Sequence, residues 1–152
     1  MNVDGEPTLW DEPRELCNAL TLLSLMQIPG IGSVKAIEVA QKFSSWAHIA
    51  STSPEVLNDA VGKPAEELAY AAADPPCVPE PPEEVQLVSY FDDRFPDGLR
   101  TIPSPPAVLW VRGSTPADHR CVAVVGTRHP TQGGIEAARA STEALVAHGY
   151  GI

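Results

Sequence analysis

The sequence has 152 residues, enough for one ordinary domain or two small ones, and its apolar content of 43% allows a packed core. Lys and Arg number 10 against 20 Asp and Glu, so the formal net charge of −10 excludes a surface coated with positive charge for nucleic acid. No apolar run reaches the roughly 20 residues of a membrane-spanning helix, and the acidic start is not a signal peptide. We therefore expect a cytoplasmic protein without a membrane partner.

The charge is distributed unevenly along the chain. Residues 1–80 carry twelve acids and four Lys or Arg, whereas residues 81–152 carry eight acids and six arginines. Most of the excess acid therefore lies in the first half, and the net charge does not indicate what a local site binds. The three cysteines, Cys17, Cys77 and Cys121, are widely separated, which favours reduced thiols over a disulfide framework or a zinc site.

The first half of the chain predicts a cluster of short helices. Residues 1–12 are polar and acidic, and we expect them to form a disordered tail. From Pro13 onward, apolar residues recur at helical spacing, and proline, glycine and serine mark the ends of successive helices. These helices are predicted from residue 13 to the break at 29–32, and over residues 33–43, 45–49, 53–62 and 64–73. They form a predicted helical domain over residues 13–73.

Residues 74–84 are predicted to form a linker, because five of the first nine are proline, which favours extended chain and excludes helix. The segment from Glu84 to Phe91 is expected to be extended. Beyond it, residues 107–113 and 121–125 predict strands. The second of these is apolar at every position, as in a parallel sheet that is covered on both faces.

A helix is predicted from about Thr131 to His148, with Gly149 ending it. A partner strand then begins at Tyr150, so we expect residues 85–152 to form an incomplete Rossmann-like domain and the chain to be a truncated portion of a longer protein. The predicted fold class is α+β overall: a small all-α helix-hairpin-helix (SAM-like) domain followed by the start of a Rossmann-like α/β domain.

A helix-hairpin-helix pattern, two helices joined by an apolar-Pro-Gly-apolar-Gly turn, gives the first candidate site. Its glycines allow a tight turn that brings bare N–H groups near the positive end of the second helix, where a DNA phosphate could bind. Contacts of this kind position duplex or single-stranded DNA without reading bases. The alternative is a turn that only connects two packed helices. The candidate residues are Pro29, Gly30, Ile31, Gly32 and Lys35.

The turn between the apolar strand and the last helix gives the second candidate site. Ligands bind at such positions in open α/β sheets, small residues let an anion approach the backbone, and an arginine offers a two-pronged contact to phosphate. The alternative is an ordinary strand-to-helix turn with an exposed arginine. The candidate DNA- or phosphate-binding residues are Gly126, Thr127, Arg128, Thr131, Gly133 and Gly134.

The sequence contains no catalytic constellation, metal site or cofactor motif that we can identify. The four histidines are scattered, and Asp92 and Asp93 are adjacent acids in a polar loop, where carboxylates are usually solvated. The second candidate turn matches neither GxGxxG nor a P-loop, so a dinucleotide or ATP site is not supported. We expect a protein that is not an enzyme and has no cofactor.

Three stretches of the chain resemble, in the same order, the N-terminal half of the DNA-processing protein DprA (Smf) family. The helical segment Ile28–Gly32 lies where that family has its small N-terminal domain. The stronger resemblance is carried by Tyr90, Phe95-Pro96, Leu99, Ile102, Pro105-Pro106, Leu109–Gly113, Val124–Arg128, Thr131 and Gly134.

The resemblance implies a protein that binds single-stranded DNA and assists loading of the RecA recombinase during DNA uptake, natural transformation and recombination. Gly126, Thr127 and Arg128 fall on the family's anion-binding turn, with Arg128 as the implied phosphate contact. The family often has an aromatic residue where this chain has Gly133. The surfaces for homodimer formation and RecA contact are expected beyond Ile152, so we expect weak activity from this chain.

Two other functions remain open from the sequence. One is a nucleotide-binding or nucleoside-monophosphate-cleaving enzyme of the related Rossmann-like group, although the Gly-rich and Glu-containing motif of those enzymes does not occur in this chain. The other is a helix-hairpin-helix module, with duplex DNA as a candidate ligand, that is followed by a degenerate second half.

Overall fold

The computed structural model describes residues 15–113 and 120–152. The chain forms two compact units, the first ending at Thr115 and the second running from Pro116 to Ile152. The predicted α+β class is confirmed, because the described residues contain seven α-helices and a two-stranded antiparallel sheet. The predicted tail of residues 1–12 lies outside the described residues.

Five α-helices build most of the first unit. Serine and asparagine side chains cap three of them by accepting hydrogen bonds from N–H groups of the first turn. These local signals explain why the helix boundaries are close to those that the sequence predicts. The helices are α1 (Ala19–Leu25), α2 (Ser33–Lys42), α3 (Trp46–Ser51), α4 (Pro54–Val61) and α5 (Ala65–Ala73).

The first helix differs from its prediction. A 3-10 turn over Glu15–Cys17 precedes α1, and Asn18 interrupts the helical run between them. The Asn18 side chain accepts a hydrogen bond from the N–H of Thr21 at 2.8 Å, which makes Asn18 the N-cap of a new helix. The continuous helix predicted from Pro13 is therefore wrong where the structure describes it, and Pro13 itself lies outside the described residues.

One hydrophobic core fills the space between the five helices. Not every apolar residue at helical spacing is buried, because Leu20, Met26 and Val34 are 39%, 36% and 38% exposed. Burial follows the helix–helix contacts rather than the full width of each apolar stripe. The largest fully buried side chains of this core are Leu16, Leu22, Leu25, Val39, Ile49, Leu57 and Leu68.

A β-hairpin completes the first unit. Strands β1 (Val85–Ser89) and β2 (Val108–Arg112) are antiparallel, and the short helix α6 (Asp97–Arg100) lies in their connection. The register pairs Val85 with Arg112 and Ser89 with Val108. The structure confirms both the extended segment predicted before Phe91 and the strand predicted over residues 107–113.

The hairpin packs against the helices. Helix α1 contacts both strands, and Ala107, the residue before β2, is a member of the helical core. The buried hydroxyl of Ser89 donates a hydrogen bond to the carbonyl oxygen of Cys17. Helices and hairpin therefore share one compact unit, which includes residues 74–84. The division into domains 13–73 and 85–152 with this linker stays a prediction.

The second unit contains α7 (Gln132–Ala147) and a short parallel pairing. The strand predicted over residues 121–125 is wrong in extent, since it forms only one bridge, from Cys121 to Gly151. The N–H of Val122 donates to Gly151 at 3.0 Å, and Gly151 donates back to Arg120 at 3.0 Å. Only one residue, Gly151, pairs with this segment among the described residues, and a longer strand would need more paired residues on its partner.

The parallel bridge of this unit joins Cys121, which lies before α7 in the chain, to Gly151, which lies after it. The helix predicted from Thr131 to His148 is confirmed within one residue at each end, and Gly149, whose φ is +81°, directly follows its C-cap His148. None of the residues of α7 is buried, and Val125 is 90% exposed.

Candidate nucleic-acid interface

The second candidate site is an exposed loop that leads into α7. Gly126, Thr127 and Arg128 are all exposed. Within the described residues, Arg128 forms no ion pair with a carboxylate, so its guanidinium is available to an external anion. The structure thus gives the predicted phosphate contact an accessible position.

Two threonine hydroxyls hold the loop in shape. The Thr127 hydroxyl accepts a hydrogen bond from the N–H of His129 at 3.2 Å. The Thr131 hydroxyl accepts from the N–H of Gly134 at 3.2 Å, and Thr131 is the N-cap of α7. Both threonines that the sequence places in the site therefore shape it through contacts with the backbone.

The start of α7 retains unpaired hydrogen-bond donors. Thr131 satisfies the N–H of Gly134, whereas the N–H groups of Gln132 and Gly133 have no partner in the part of the chain that the structure describes. The first turn of this 16-residue helix carries no acidic residue, so its positive end is not neutralised there. An anion that lies beside Arg128 can therefore accept hydrogen bonds from these N–H groups.

The three glycines of the site differ in what a side chain would meet. A methyl group at Gly126 or Gly133 would meet open space, which leaves room for a ligand at the backbone. At Gly134 a Cβ would lie 3.4 Å from the Thr131 hydroxyl oxygen, so a larger residue would press on the capping group. Gly134 therefore supports the helix cap rather than the anion itself.

The two units differ in charge, since the second unit, residues 116–152, carries three arginines against three acids and the first unit carries the excess of acid. The described residues 120–152 contain three arginines and two glutamates, a net charge of +1, whereas residues 15–113 contain six Lys or Arg and thirteen acids, a net charge of −7. The acid that dominates the whole chain therefore belongs to the first unit. The candidate anion site lies in the unit that does not repel phosphate.

The turn between α1 and α2 contains Gly30 and Gly32 of the first candidate site. Gly30 has a φ of +84°, which L side chains rarely adopt, and Gly32 is the N-cap of α2 with no side chain to offer. Ile28 and Ile31 are 4% and 3% exposed, so they anchor the turn in the core. The turn joins α1 to α2, which are in contact.

Two side chains of this turn and of the start of α2 already have protein partners. Ser33, the first residue of α2, donates its hydroxyl to the carbonyl oxygen of Pro105 at 2.8 Å. The Lys35 ammonium lies 2.6 Å from a carboxylate oxygen of Glu38. These contacts favour the structural interpretation of the turn, in which it connects two packed helices.

One arginine that the sequence did not single out orders the loop before β2. Arg100 donates hydrogen bonds from its guanidinium to the carbonyl oxygens of Tyr90 at 2.7 Å and Asp92 at 2.6 Å. The same guanidinium lies 5.5 Å and 5.3 Å from the ring centres of Tyr90 and Phe95. The nearby aromatic residues are a signal in the sequence, but only the fold brings the two carbonyl groups to one side chain.

One acid of the same loop, Asp92, has a structural role. The Arg94 guanidinium donates hydrogen bonds to Asp92, which hold the pKa of that carboxyl below its usual range. Among the described residues, no group of three or more His, Cys, Asp or Glu is placed to hold a metal ion. None of the described helices is long and apolar enough to cross a membrane.

Residues 86–152 match the family model of DNA recombination-mediator protein A. The matched range starts in β1, includes the rest of the hairpin and continues through the second unit, so it covers less than half of the chain. The match connects this part of the chain with DNA processing and recombination. No curated protein and no solved structure gave a significant match.

Proposed function

We propose that the protein binds single-stranded DNA through the loop before α7 and acts in DNA recombination, as a protein of the DNA recombination-mediator protein A type. The match over residues 86–152 supports the functional class. The observation that carries the binding site is the exposed Arg128, without an ion pair among the described residues, beside unpaired N–H groups at the start of α7.

The proposed contacts are with phosphate. Arg128 supplies a two-pronged, charge-assisted pair of hydrogen bonds, and the N–H groups of Gln132 and Gly133 supply two more donors. Thr127 and Thr131 keep the loop in the shape that presents these groups. Because none of these contacts reaches a base edge, binding should be largely independent of base sequence.

A salt titration tests the phosphate interaction. Fluorescence anisotropy of the full chain with a labelled 30-residue oligo(dT) should show an affinity that falls about two- to threefold between 50 mM and 200 mM salt, as expected for one phosphate neutralised by Arg128. The matched duplex is the comparison ligand. An affinity that does not change with salt would contradict binding through phosphate.

We further propose RecA recombinase as a partner, with the protein assisting its loading on single-stranded DNA. This part of the proposal is supported by the family alone. It predicts that the chain shortens the lag before RecA hydrolyses ATP on oligo(dT) that carries a single-strand-binding protein. An unchanged lag at saturating concentration of the chain would contradict it.

A further inference from the structure

A shallow groove of about 430 Å³ lies beside the turn between α1 and α2. The turn supplies Ile28 and Pro29 to one wall, and α5 with the segment after it supplies Tyr70, Ala71 and Pro76 to the other. Within the groove, Ile28 and Ala71 are 4% and 7% exposed and belong to the hydrophobic core. A ligand in this groove would therefore contact apolar side chains that belong to the edge of the core.

Tyr70 is the prominent side chain of the groove. It is 86% exposed, although the next residue of α5, Ala71, is buried. An aromatic side chain that remains exposed beside apolar positions is the type of residue that anchors protein–protein contacts, because it offers a large rigid area and a polar tip. No described residue forms a hydrogen bond with its hydroxyl.

Three carboxylates surround this apolar surface: Glu66, Glu67 and Asp74. None of them forms an ion pair or a side-chain hydrogen bond with a described residue. Glu66 lies one helical turn before Tyr70, so the charge and the aromatic ring share a face of α5. Lys63 precedes the helix but does not line the groove.

This charge distribution decides between the two classes of partner. Gln27 and Pro29 belong both to the helix-hairpin-helix segment and to the groove, so a DNA phosphate at that turn would share the groove with three unpaired carboxylates. Like charges repel, and the unit around them already carries a net charge of −7 over residues 15–113. A positively charged ligand is attracted by the same groups.

We propose that this groove docks a cationic segment of a partner protein. The segment places an apolar side chain against Tyr70 and Ile28, and Lys or Arg side chains opposite Glu66, Glu67 and Asp74. The proposal is independent of DNA binding by the second unit, so the failure of one does not affect the other.

A displayed library of random 12-residue peptides provides the probe. The full chain serves as the target, and the Tyr70→Ser variant serves for counter-selection. Enriched peptides should carry at least two Lys or Arg residues and a large apolar residue. The proposal is overturned if no peptide is enriched over the variant, or if the enriched peptides are neutral or acidic.

Fluorescence anisotropy with a labelled, enriched peptide then measures how much each groove residue contributes to peptide affinity. Tyr70→Ala should weaken binding about tenfold, since an anchor of this kind dominates such contacts. The double variant Glu66→Gln, Glu67→Gln should weaken it about threefold at 50 mM salt and less at 500 mM, because salt screens exposed charges. All three positions are exposed, so the melting temperatures should stay close to that of the wild type.

Matched controls come from α4, which contributes no residue to this groove. Val56 is 57% exposed, and Glu55 is an exposed acid beside it, so Val56→Ala and Glu55→Gln repeat the two kinds of change elsewhere on the same unit. Both controls should bind the peptide as the wild type does. Equal losses of peptide affinity in the control and groove variants would overturn the proposal. It would also be overturned if the peptide does not bind and Tyr70→Ala instead weakens binding of oligo(dT) or duplex DNA.

Discussion

The hydroxyl of Ser33 joins two segments that lie 72 residues apart, because it donates to the carbonyl oxygen of Pro105 at 2.8 Å. The hydroxyl oxygen of Ser33 in turn accepts a hydrogen bond from the N–H of Ala107. Ser33 starts α2, and the other two residues precede β2. Helix α2 is thereby fixed to the β-hairpin.

Replacing Ser33 with alanine should lower the free energy of unfolding by about 1–3 kcal/mol, since it leaves the N–H of Ala107 buried without a partner. Ala107 is 1% exposed, so water cannot replace the lost hydroxyl. Urea unfolding followed by circular dichroism measures the change. The control is Ser51→Ala, whose exposed hydroxyl bonds only to the nearby carbonyl of His48 and should cost less than about 0.5 kcal/mol. Equal small effects would contradict the structural role of Ser33.

The Arg100→Lys substitution should destabilise the fold, although it retains the positive charge. A lysine ammonium cannot reproduce the fork that reaches the carbonyl oxygens of Tyr90 and Asp92, and we expect a loss of about 1.5–3 kcal/mol in unfolding free energy. Arg112→Lys is the matched control, because Arg112 is mostly exposed and pairs only with Glu84, an interaction worth at most about 1 kcal/mol. A wild-type melting curve for Arg100→Lys would show that the fork is dispensable.

The two glycines of the helix-hairpin-helix turn should respond in opposite ways to substitution. Gly30→Ala forces a Cβ onto a residue with φ of +84° and should cost about 1–2 kcal/mol, and the nearest side-chain atom, 3.5 Å away on Pro64, adds no clash. Gly32→Ser should be neutral or slightly stabilising, because Gly32 is an extended N-cap in open space and serine caps better. Thermal unfolding compares the two, and an equal loss in both would argue against this local geometry.

The stability should depend on the protonation of Asp92 at acidic pH. Hydrogen bonds from Arg94 hold the pKa of Asp92 below its ordinary value of 3.8, so the folded state binds this proton less readily than the unfolded state. The contribution is present above that value and is lost as the pH falls through the lowered pKa. Carboxyl titration by NMR should show the pKa of Asp92 rising in Arg94→Ala and unchanged in Arg112→Ala, whose partner is Glu84. A pKa that stays low in Arg94→Ala would contradict this assignment.

The local signals in the sequence predicted the helices well, because a cap or a break involves neighbouring residues. Ser53 and Gly62 bound α4 as expected, and Thr131 and Gly149 bound α7. Strand formation over residues 121–125 could not be predicted in the same way, since an apolar pattern indicates a strand but its extent depends on a partner.

Long-range contacts explain the rest of the difference between sequence and structure. The groove unites Ile28 with Tyr70 and Ala71, and the sequence pattern around each gives no sign of the other. The sequence likewise indicates only that Ser33 lies at the start of a helix. Its hydrogen bond to Pro105 depends on tertiary packing, which the local pattern does not predict. For the loop before α7, the sequence located the residues, and the structure added their exposure and the capping contacts.

The measurement that tests the central claim most directly is the affinity for labelled oligo(dT) of the wild type, Arg128→Ala and Arg139→Ala, at 50 mM salt. Both variants remove one exposed arginine from the same unit, but only Arg128 lies in the loop before α7. We expect Arg128→Ala to weaken binding about tenfold, the loss of a charge-assisted contact, and Arg139→Ala to weaken it less than about threefold. Equal affinities for wild type and Arg128→Ala, or equal losses in the two variants, would contradict a specific phosphate site at this loop.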